Sequence, residues 1–289
     1  MHDAIRSMIE RRSPQSPADW SRALREVLQE TALTGLWRTG FFDRAAFYGG
    51  TALRLFYGLD RFSEDLDFTL LSPDPEWRLQ DRLDGLRAEI EAFGFTVEIT
   101  PKNENAVESA FIKANTRFNL IQIEAPSEAT ESGSPNRLVK VKLEIDTDPP
   151  GKILTETKTL LEPFPFSVRV VAPPGLFAGK MHACLGRSWK TRVKGRDWYD
   201  FLFFIARGVP MDLMHLDARM RQSGHWTESR PLSTADARTL LADRIEGIDW
   251  KKAAEDVLPF VRDPRALDLW STDLFREAAS RIVWRETEE

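Results

Sequence analysis

At 289 residues the chain is long enough to bury one large core or two ordinary ones. Its 42% hydrophobic and 29% charged content is that of a globular protein, and no apolar run of ~18 residues is present to span a membrane. The net charge of −5 argues against general polyanion binding but permits a local basic patch, and the single cysteine, Cys184, excludes an internal disulfide and a cysteine-built zinc site.

The opening residues Met1-His2-Asp3-Ala4-Ile5-Arg6 hold no long apolar stretch, so no signal peptide is expected and the chain reads as cytoplasmic. Ser16-Pro17-Ala18-Asp19 has the signature of a helix start, with serine as N-cap and proline at the first helical position. Trp20, Leu24, Val27, Leu28 and Leu36 then fall near one face, which predicts a helix over 17–38. A short buried strand is expected over 45–48, ending at Gly49-Gly50, then a short helix over 51–57 and a strand over 66–71. Leu79, Leu83, Leu86, Ile90 and Phe93 mark an amphipathic helix ended near Gly94. Segments 95–100, 109–115 and 118–124 read as strands, the last two as a hairpin, and the polar, turn-rich stretch 125–137 reads as a loop. Over 138–147 Val139, Val141, Leu143 and Ile145 face one way while Lys140, Lys142, Glu144 and Asp146 face the other. A last strand is expected over 166–171, and after Pro173-Pro174 the texture is helical to the end. The organisation is then an N-terminal helical segment (1–44), a mixed α/β core (45–172) and a helical C-terminal domain (173–289), with no internal repeats.

Asp65 and Asp67 stand at i and i+2 at the head of a strand, so their side chains share a face. Like charges that close repel, and a divalent cation relieves the repulsion; hard Mg²⁺ favours such an oxygen-only set and keeps positions open for phosphate oxygens. The glycines before them let backbone N–H groups approach a phosphate. A glycine pair alone is ordinarily a turn, and an isolated Asp-x-Asp is ordinarily a solvated edge. Strand, Gly-Gly, short helix and Ser-x-Asp-x-Asp-Phe within about 20 residues together describe a device for transferring a nucleotide from a triphosphate. Phe62, Leu66 and Phe68 place the carboxylates against the core, where charge needs a partner or a metal.

A two-metal site calls for a third carboxylate on a neighbouring strand. Glu144 and Asp146 are both available on the polar face of 138–147; Glu144, nearer mid-strand, is the first choice, and Lys142 beside it either neutralises phosphate or pairs with Glu144. Arg187, Lys190, Arg192, Lys194 and Arg196 form a basic stretch that suits a triphosphate or an RNA backbone, or is simply a solvated loop. Lys180 lies in a largely apolar helix and can reach toward phosphates. Asp197 opens the apolar run Trp198, Tyr199, Phe201, Leu202, Phe203, where a carboxylate either serves the helix N-terminus or takes part in chemistry. His182 reads as packing, and Trp189 as a base-stacking platform. No Walker A sequence, zinc spacing or Ser-His-Asp order stands out.

The blocks Gly49-Gly50-Thr51-Ala52-Leu53-Arg54, Ser63-Glu64-Asp65-Leu66-Asp67-Phe68, Lys142-Leu143-Glu144, Lys180 and Lys194-Gly195-Arg196-Asp197-Trp198-Tyr199-Asp200 resemble, in order, those of the AbiEii/AbiGii family. These are nucleotidyltransferase-like toxins of bacterial abortive-infection (phage-defence) and type IV toxin–antitoxin systems. The resemblance covers roughly residues 46–205. It implies a DNA polymerase β-like nucleotidyltransferase core with a mixed sheet, followed by a helical C-terminal region. It further implies Gly49, Gly50 and Thr51 on the triphosphate, with Arg54, Ser63 and Lys142 in the nucleotide-binding set. Asp65, Asp67 and Glu144 would hold Mg²⁺, or Mn²⁺ as the alternative. Lys180 would neutralise the triphosphate and Asp197 would complete the catalytic group. The implied partners are an NTP, the 3′ end of tRNA as acceptor, and an antitoxin encoded nearby. Two rival readings remain open: a non-catalytic nucleotide-binding module on a decayed transferase fold, and a transferase acting on a small molecule or a protein.

Overall fold

The alternating segment near residue 140 becomes an interior strand of a seven-stranded mixed sheet. The structure is a computed structural model that describes residues 3–104, 107–116, 119–120, 125, 127–131, 138–151, 153–186 and 193–286. It divides into a first unit of Met1–Ala52, Glu64–Pro149 and Thr155–Val170, and a second of Leu53–Ser63, Pro150–Leu154 and Val171–Glu289.

The first unit opens with helices α1 (Asp3–Glu10) and α2 (Pro17–Arg38). Ser16 caps α2 by accepting from the Asp19 backbone N–H, and Pro17 takes the first helical position as the sequence predicts. The chain continues through β1 (Ala45–Tyr48), α3 (Gly49–Tyr57), β2 (Leu66–Leu70), α4 (Gln80–Ala92), β3 (Val97–Glu104), β4 (Val107–Asn115), a short α5 (Ser127–Glu131), β5 (Leu138–Asp146), β6 (Thr155–Leu160) and β7 (Phe166–Val171). The strands lie in the order β3-β4-β5-β2-β1-β7-β6. β2 runs antiparallel to β1 and parallel to β5, while β4 is antiparallel to both β3 and β5. One face buries Ile99, Ala110, Ile112, Val141, Leu143 and Ile145, and Leu83, Leu86 and Ile90 of α4 are buried as well. Gly35 of α2 lets α4 come close, since a Cβ there would stand 2.9 Å from Leu86 Cδ1.

Several sequence expectations change here. The hairpin is β3–β4, with Val97 opposite Ala114, rather than 109–115 with 118–124. The strand expected over 95–100 runs on to Glu104 as β3, with Pro101 within it opposite Ala110; β3 is the sheet edge, where a residue with no N–H is tolerated. Of the strand expected over 118–124, residues 119–120 are helical and the others lie outside the described residues. The expected loop at 125–137 contains α5, and the helix expected from Thr51 already starts at Gly49.

The second unit carries α6 (Pro173–Gly186), α7 (Gly195–Ala206), α8 (Leu213–Gln222), α9 (Thr234–Glu246), α10 (Trp250–Val257) and α11 (Thr272–Ser280). A two-stranded parallel pair, β8 (Met211–Asp212) with β9 (Trp284–Arg285), accompanies them; runs of two residues carry no periodicity and were not expected. The core is aromatic: Trp250 stacks on Phe275 with centroids 3.8 Å apart, and Trp198 stands edge-on to both. Gly195 at the start of α7 touches α10, where a Cβ would meet the Ala253 carbonyl oxygen at 1.8 Å. Among the described residues no helix is long and apolar enough to cross a membrane.

Candidate active site

The first cluster is built by sheet register. In β2 and β5 Asp67 lies opposite Glu144, and on the other side of β2 Tyr48 of β1 lies opposite Asp67. Asp65, two residues earlier and just outside β2, falls on the same face as Asp67. Register therefore separates the two candidates for the third carboxylate: Glu144 is the cross-strand neighbour of Asp67, whereas Asp146 lies opposite the buried Thr69 and accepts the Asp148 backbone N–H at 3.1 Å. Asp65, Asp67 and Glu144 are all partly exposed.

The glycine turn abuts this cluster. Gly49 has φ +81°, a conformation that disfavours any Cβ, and a Cβ there would lie 2.3 Å from Asp67 Oδ2. Its backbone thus touches the carboxylate, and the glycine is required by both conformation and space. Thr51 is buried and donates its hydroxyl to the Asp65 carbonyl oxygen at 2.5 Å, tying the start of α3 to the chain just ahead of β2. In this structure Thr51 fixes the spacing between glycine turn and carboxylates.

Lys142 donates to Glu144 Oε1 at 2.6 Å. Burial works against its charge, but the bond to Glu144 and the carboxylates of Glu144, Asp65 and Asp67 outweigh that and raise its pKa above the usual lysine value. Lys142 is thus the counter-charge within the acidic cluster. Among the described residues no three His, Cys, Asp or Glu side chains gather tightly enough to hold an ion as they stand. The donor set nevertheless suits a hard divalent cation: three carboxylates on one sheet face, two of them in cross-strand register, beside a backbone that leaves no side chain in the way.

On the β5 side of the carboxylates lies a cavity of about 300 Å³ lined by Arg25, Glu64, Asp65, Phe111, Leu138, Lys140 and Lys142. Arg25 pairs with Glu64. Phe111 of β4 is the cross-strand neighbour of Lys142, whose ammonium stands 6.0 Å from the ring centroid. Arg25 and Phe111 carry no local motif, and Lys140 stands in the sequence only as one residue of the polar face of 138–147. The signal for Phe111 was the alternation of β4, which puts it on the half-exposed side with Lys113 and Asn115.

The remaining expected residues lie in the second unit. Arg54 donates to the carbonyl oxygens of Leu59, Asp60 and Arg61 and lies over Phe62, 4.5 Å from its centroid, so it closes the 58–62 loop. Ser63 ends that loop, partly exposed. Lys180 contacts Asp200 Oδ2 at 2.8 Å and Asp197 Oδ1 at 3.2 Å. Asp200 also receives a bidentate pair from Arg61, at 2.7 and 2.6 Å, and both partners are almost wholly buried. Burial opposes ionisation of Asp200, but Arg61 and Lys180 outweigh it and hold its pKa below the usual range. Two cations and two carboxylates thus form one buried ionic cluster, in which the Lys180 ammonium is engaged by aspartates. Asp200 and Arg61 were not assigned roles from sequence. Asp200 stands one helical turn after Asp197 on α7, which was legible; Arg61, 139 residues away, was not. The basic stretch 187–192, with Trp189, lies outside the described residues. His182 meets Ser223 Oγ at 2.9 Å and the His225 ring edge-on.

A mixed sheet that sets a Gly-Gly turn against paired carboxylates, with a third acid in register on the next strand, is the arrangement of a nucleotidyltransferase. The chain belongs to the AbiEii family of nucleotidyl transferase toxins of type IV toxin–antitoxin systems, whose model matches residues 31–279. Membership brings with it an NTP substrate and an antitoxin partner. Two solved structures are similar to the chain. A candidate nucleotidyltransferase from H. pylori is 21% identical, with 89% of each chain covered and a TM-score of 0.46. JHP933 from Helicobacter pylori is 20% identical, with 90% of this chain and 88% of that chain covered and a TM-score of 0.45. No curated protein sequence matches.

Proposed function

We propose that the protein is a cytoplasmic toxin that transfers a nucleoside monophosphate from an NTP to the 3′ hydroxyl of tRNA and so blocks translation. The acceptor oxygen forms a bond to the α-phosphorus, the bond to pyrophosphate breaks with its electron pair leaving on pyrophosphate, and the hydroxyl proton passes to water. Asp65, Asp67 and Glu144 would hold Mg²⁺, or Mn²⁺, which when bound would activate the hydroxyl and neutralise the triphosphate. Gly49 and Gly50 offer bare backbone to the phosphates at the start of α3. Lys142 balances the acidic cluster through Glu144, and it would be the nearest ammonium to phosphate were that carboxylate to hold a cation instead. The second-unit cluster of Arg61, Lys180, Asp197 and Asp200 holds α7 in place through buried charge, and in this reading Lys180 and Asp197 serve that scaffold.

The observation that carries this reading is the position of Asp67, opposite Glu144 in register and in contact with the Gly49 backbone. The test is incubation of purified protein and total tRNA with each of the four α-³²P-labelled triphosphates, with and without Mg²⁺. Label should enter tRNA with at least one triphosphate, and folded Asp67→Ala protein should lose all transfer. Transfer that persists in that variant would remove the metal-site reading.

A further inference from the structure

The two edges of the seven-stranded sheet differ. The β3 edge carries Pro101, which has no N–H to offer a further strand. The opposite edge is β6, Thr155-Glu156-Thr157-Lys158-Thr159-Leu160, which has no proline. None of its six residues is buried, and Thr157 and Thr159 are exposed. An edge strand presents a row of N–H and C=O groups, a template for another strand. Glu156, Lys158 and Leu160 share one face of β6, where Glu156 and Lys158 stand 3.0 Å apart; Thr155, Thr157 and Thr159 share the other. A second copy that meets this edge about a two-fold axis runs antiparallel to it. Successive residue pairs in such a ladder alternate between hydrogen-bonded and non-hydrogen-bonded. An axis falling between residues would make two successive pairs identical, so the axis must pass through one self-paired residue. Centred on Glu156, the register sets Glu against Glu, and centred on Lys158 it sets Lys against Lys. Among the six residues only Thr157 at the centre sets both charges against unlike ones, with Glu156 opposite Lys158 of the second copy and Thr155 opposite Thr159.

We propose that β6 is a dimerisation edge that pairs antiparallel with β6 of a second copy, with Thr157 opposite itself. The Glu156–Lys158 pair within each strand is kept, and the two pairs close a ring of four charges of alternating sign. Threonines face one another on the other side of the ladder. Unlike charges and Thr–Thr neighbours are both favourable across antiparallel strands. The contact uses the same patch on both copies, so it closes at two, and Pro101 at the β3 edge opposes a head-to-tail continuation. β1 and β7 lie between β2 and β6, so each copy keeps its own Asp65, Asp67 and Glu144 away from the joint.

The test is sedimentation velocity of the full chain from about 1 to 100 µM, since an edge of six residues makes a small interface. Wild type should move with concentration from the 33.1 kDa chain toward twice that mass. Glu156→Lys sets Lys against Lys at both charged positions of the register, and Lys158→Glu sets Glu against Glu. Each variant alone should dimerise about tenfold or more weakly. Mixed in equal amounts, the two should form a heterodimer to within about threefold of wild-type affinity, because every charged pair across the joint is then of unlike sign. The doubly exchanged chain, Glu156→Lys with Lys158→Glu, should dimerise as wild type does. Association in these two samples shows that the loss in each single variant is not misfolding. Wild type that stays monomeric throughout, dimers indifferent to both charge reversals, or single variants that fail to associate on mixing each overturn the inference.

Discussion

At the scale of single residues, the site depends on a missing side chain. Gly49→Ala would set a methyl group into Asp67 Oδ2 and force an L-residue to φ +81°. The backbone strain is worth about 1–2 kcal/mol, so the fold should survive. The displaced carboxylate should lower the rate of label transfer by about 10²-fold, since misplacement by an ångström is enough for that. Transfer assays beside thermal melts check this; an Ala variant with wild-type kcat would show that Asp67 can move freely. The carboxylate pair and the glycines were legible in the sequence because their spacing is local. The choice between Glu144 and Asp146 was not, because both fall on one face of one strand and only the offset of β5 against β2 tells them apart. The Arg61–Asp200 pair was hidden for the same reason, since nothing local marks two residues so far apart as partners.

At the scale of elements, α7 is fixed twice, by Gly195 against the Ala253 carbonyl and by the ionic cluster at Asp197 and Asp200. Removing one member of a buried ion pair leaves charge uncompensated, so Asp200→Asn should destabilise the protein by about 3–5 kcal/mol. Asp197→Asn should cost less, because Asp200 still holds both Arg61 and Lys180. Guanidinium unfolding midpoints measure both, and equal midpoints for the two variants would show that the cluster does not act as described. Long periodic elements such as α2 and β5 were read correctly, because propensity, caps and alternation agree there. The β3–β4 hairpin was missed because strand pairing is a relation between segments: the sequence marks 95–100 and 109–115 as strands without saying that they face each other.

At the scale of the whole molecule, two buried groups give opposed pH dependences. Burial raises the Glu30 pKa to about 7, against the lowering effect of Arg12 at 2.7 Å. Between its ordinary value of 4.5 and about 7 the folded protein binds a proton that the unfolded chain has released, so this group makes stability fall as pH rises through that window. The full effect is on the order of 3 kcal/mol. His215, with its pKa pushed down to about 4 by burial and by Arg219, acts oppositely: the unfolded imidazole binds the proton, and stability rises as pH climbs from about 4 to 6.5. Unfolding midpoints at pH 5, 6, 7 and 8 should therefore decline less steeply, or rise, in Glu30→Gln relative to wild type. Parallel curves would show that Glu30 titrates normally. Sequence alone determined the long periodic elements such as α2 and β5, the Asp65–Asp67 pair behind its glycine turn, and the family, because those are written in periodicities and motifs that are local in the chain. Tertiary structure decided that Glu144 stands opposite Asp67 and that Arg61, Lys180, Asp197 and Asp200 form one buried cluster, because register and burial arise where distant segments meet and no local pattern encodes which residues will face one another.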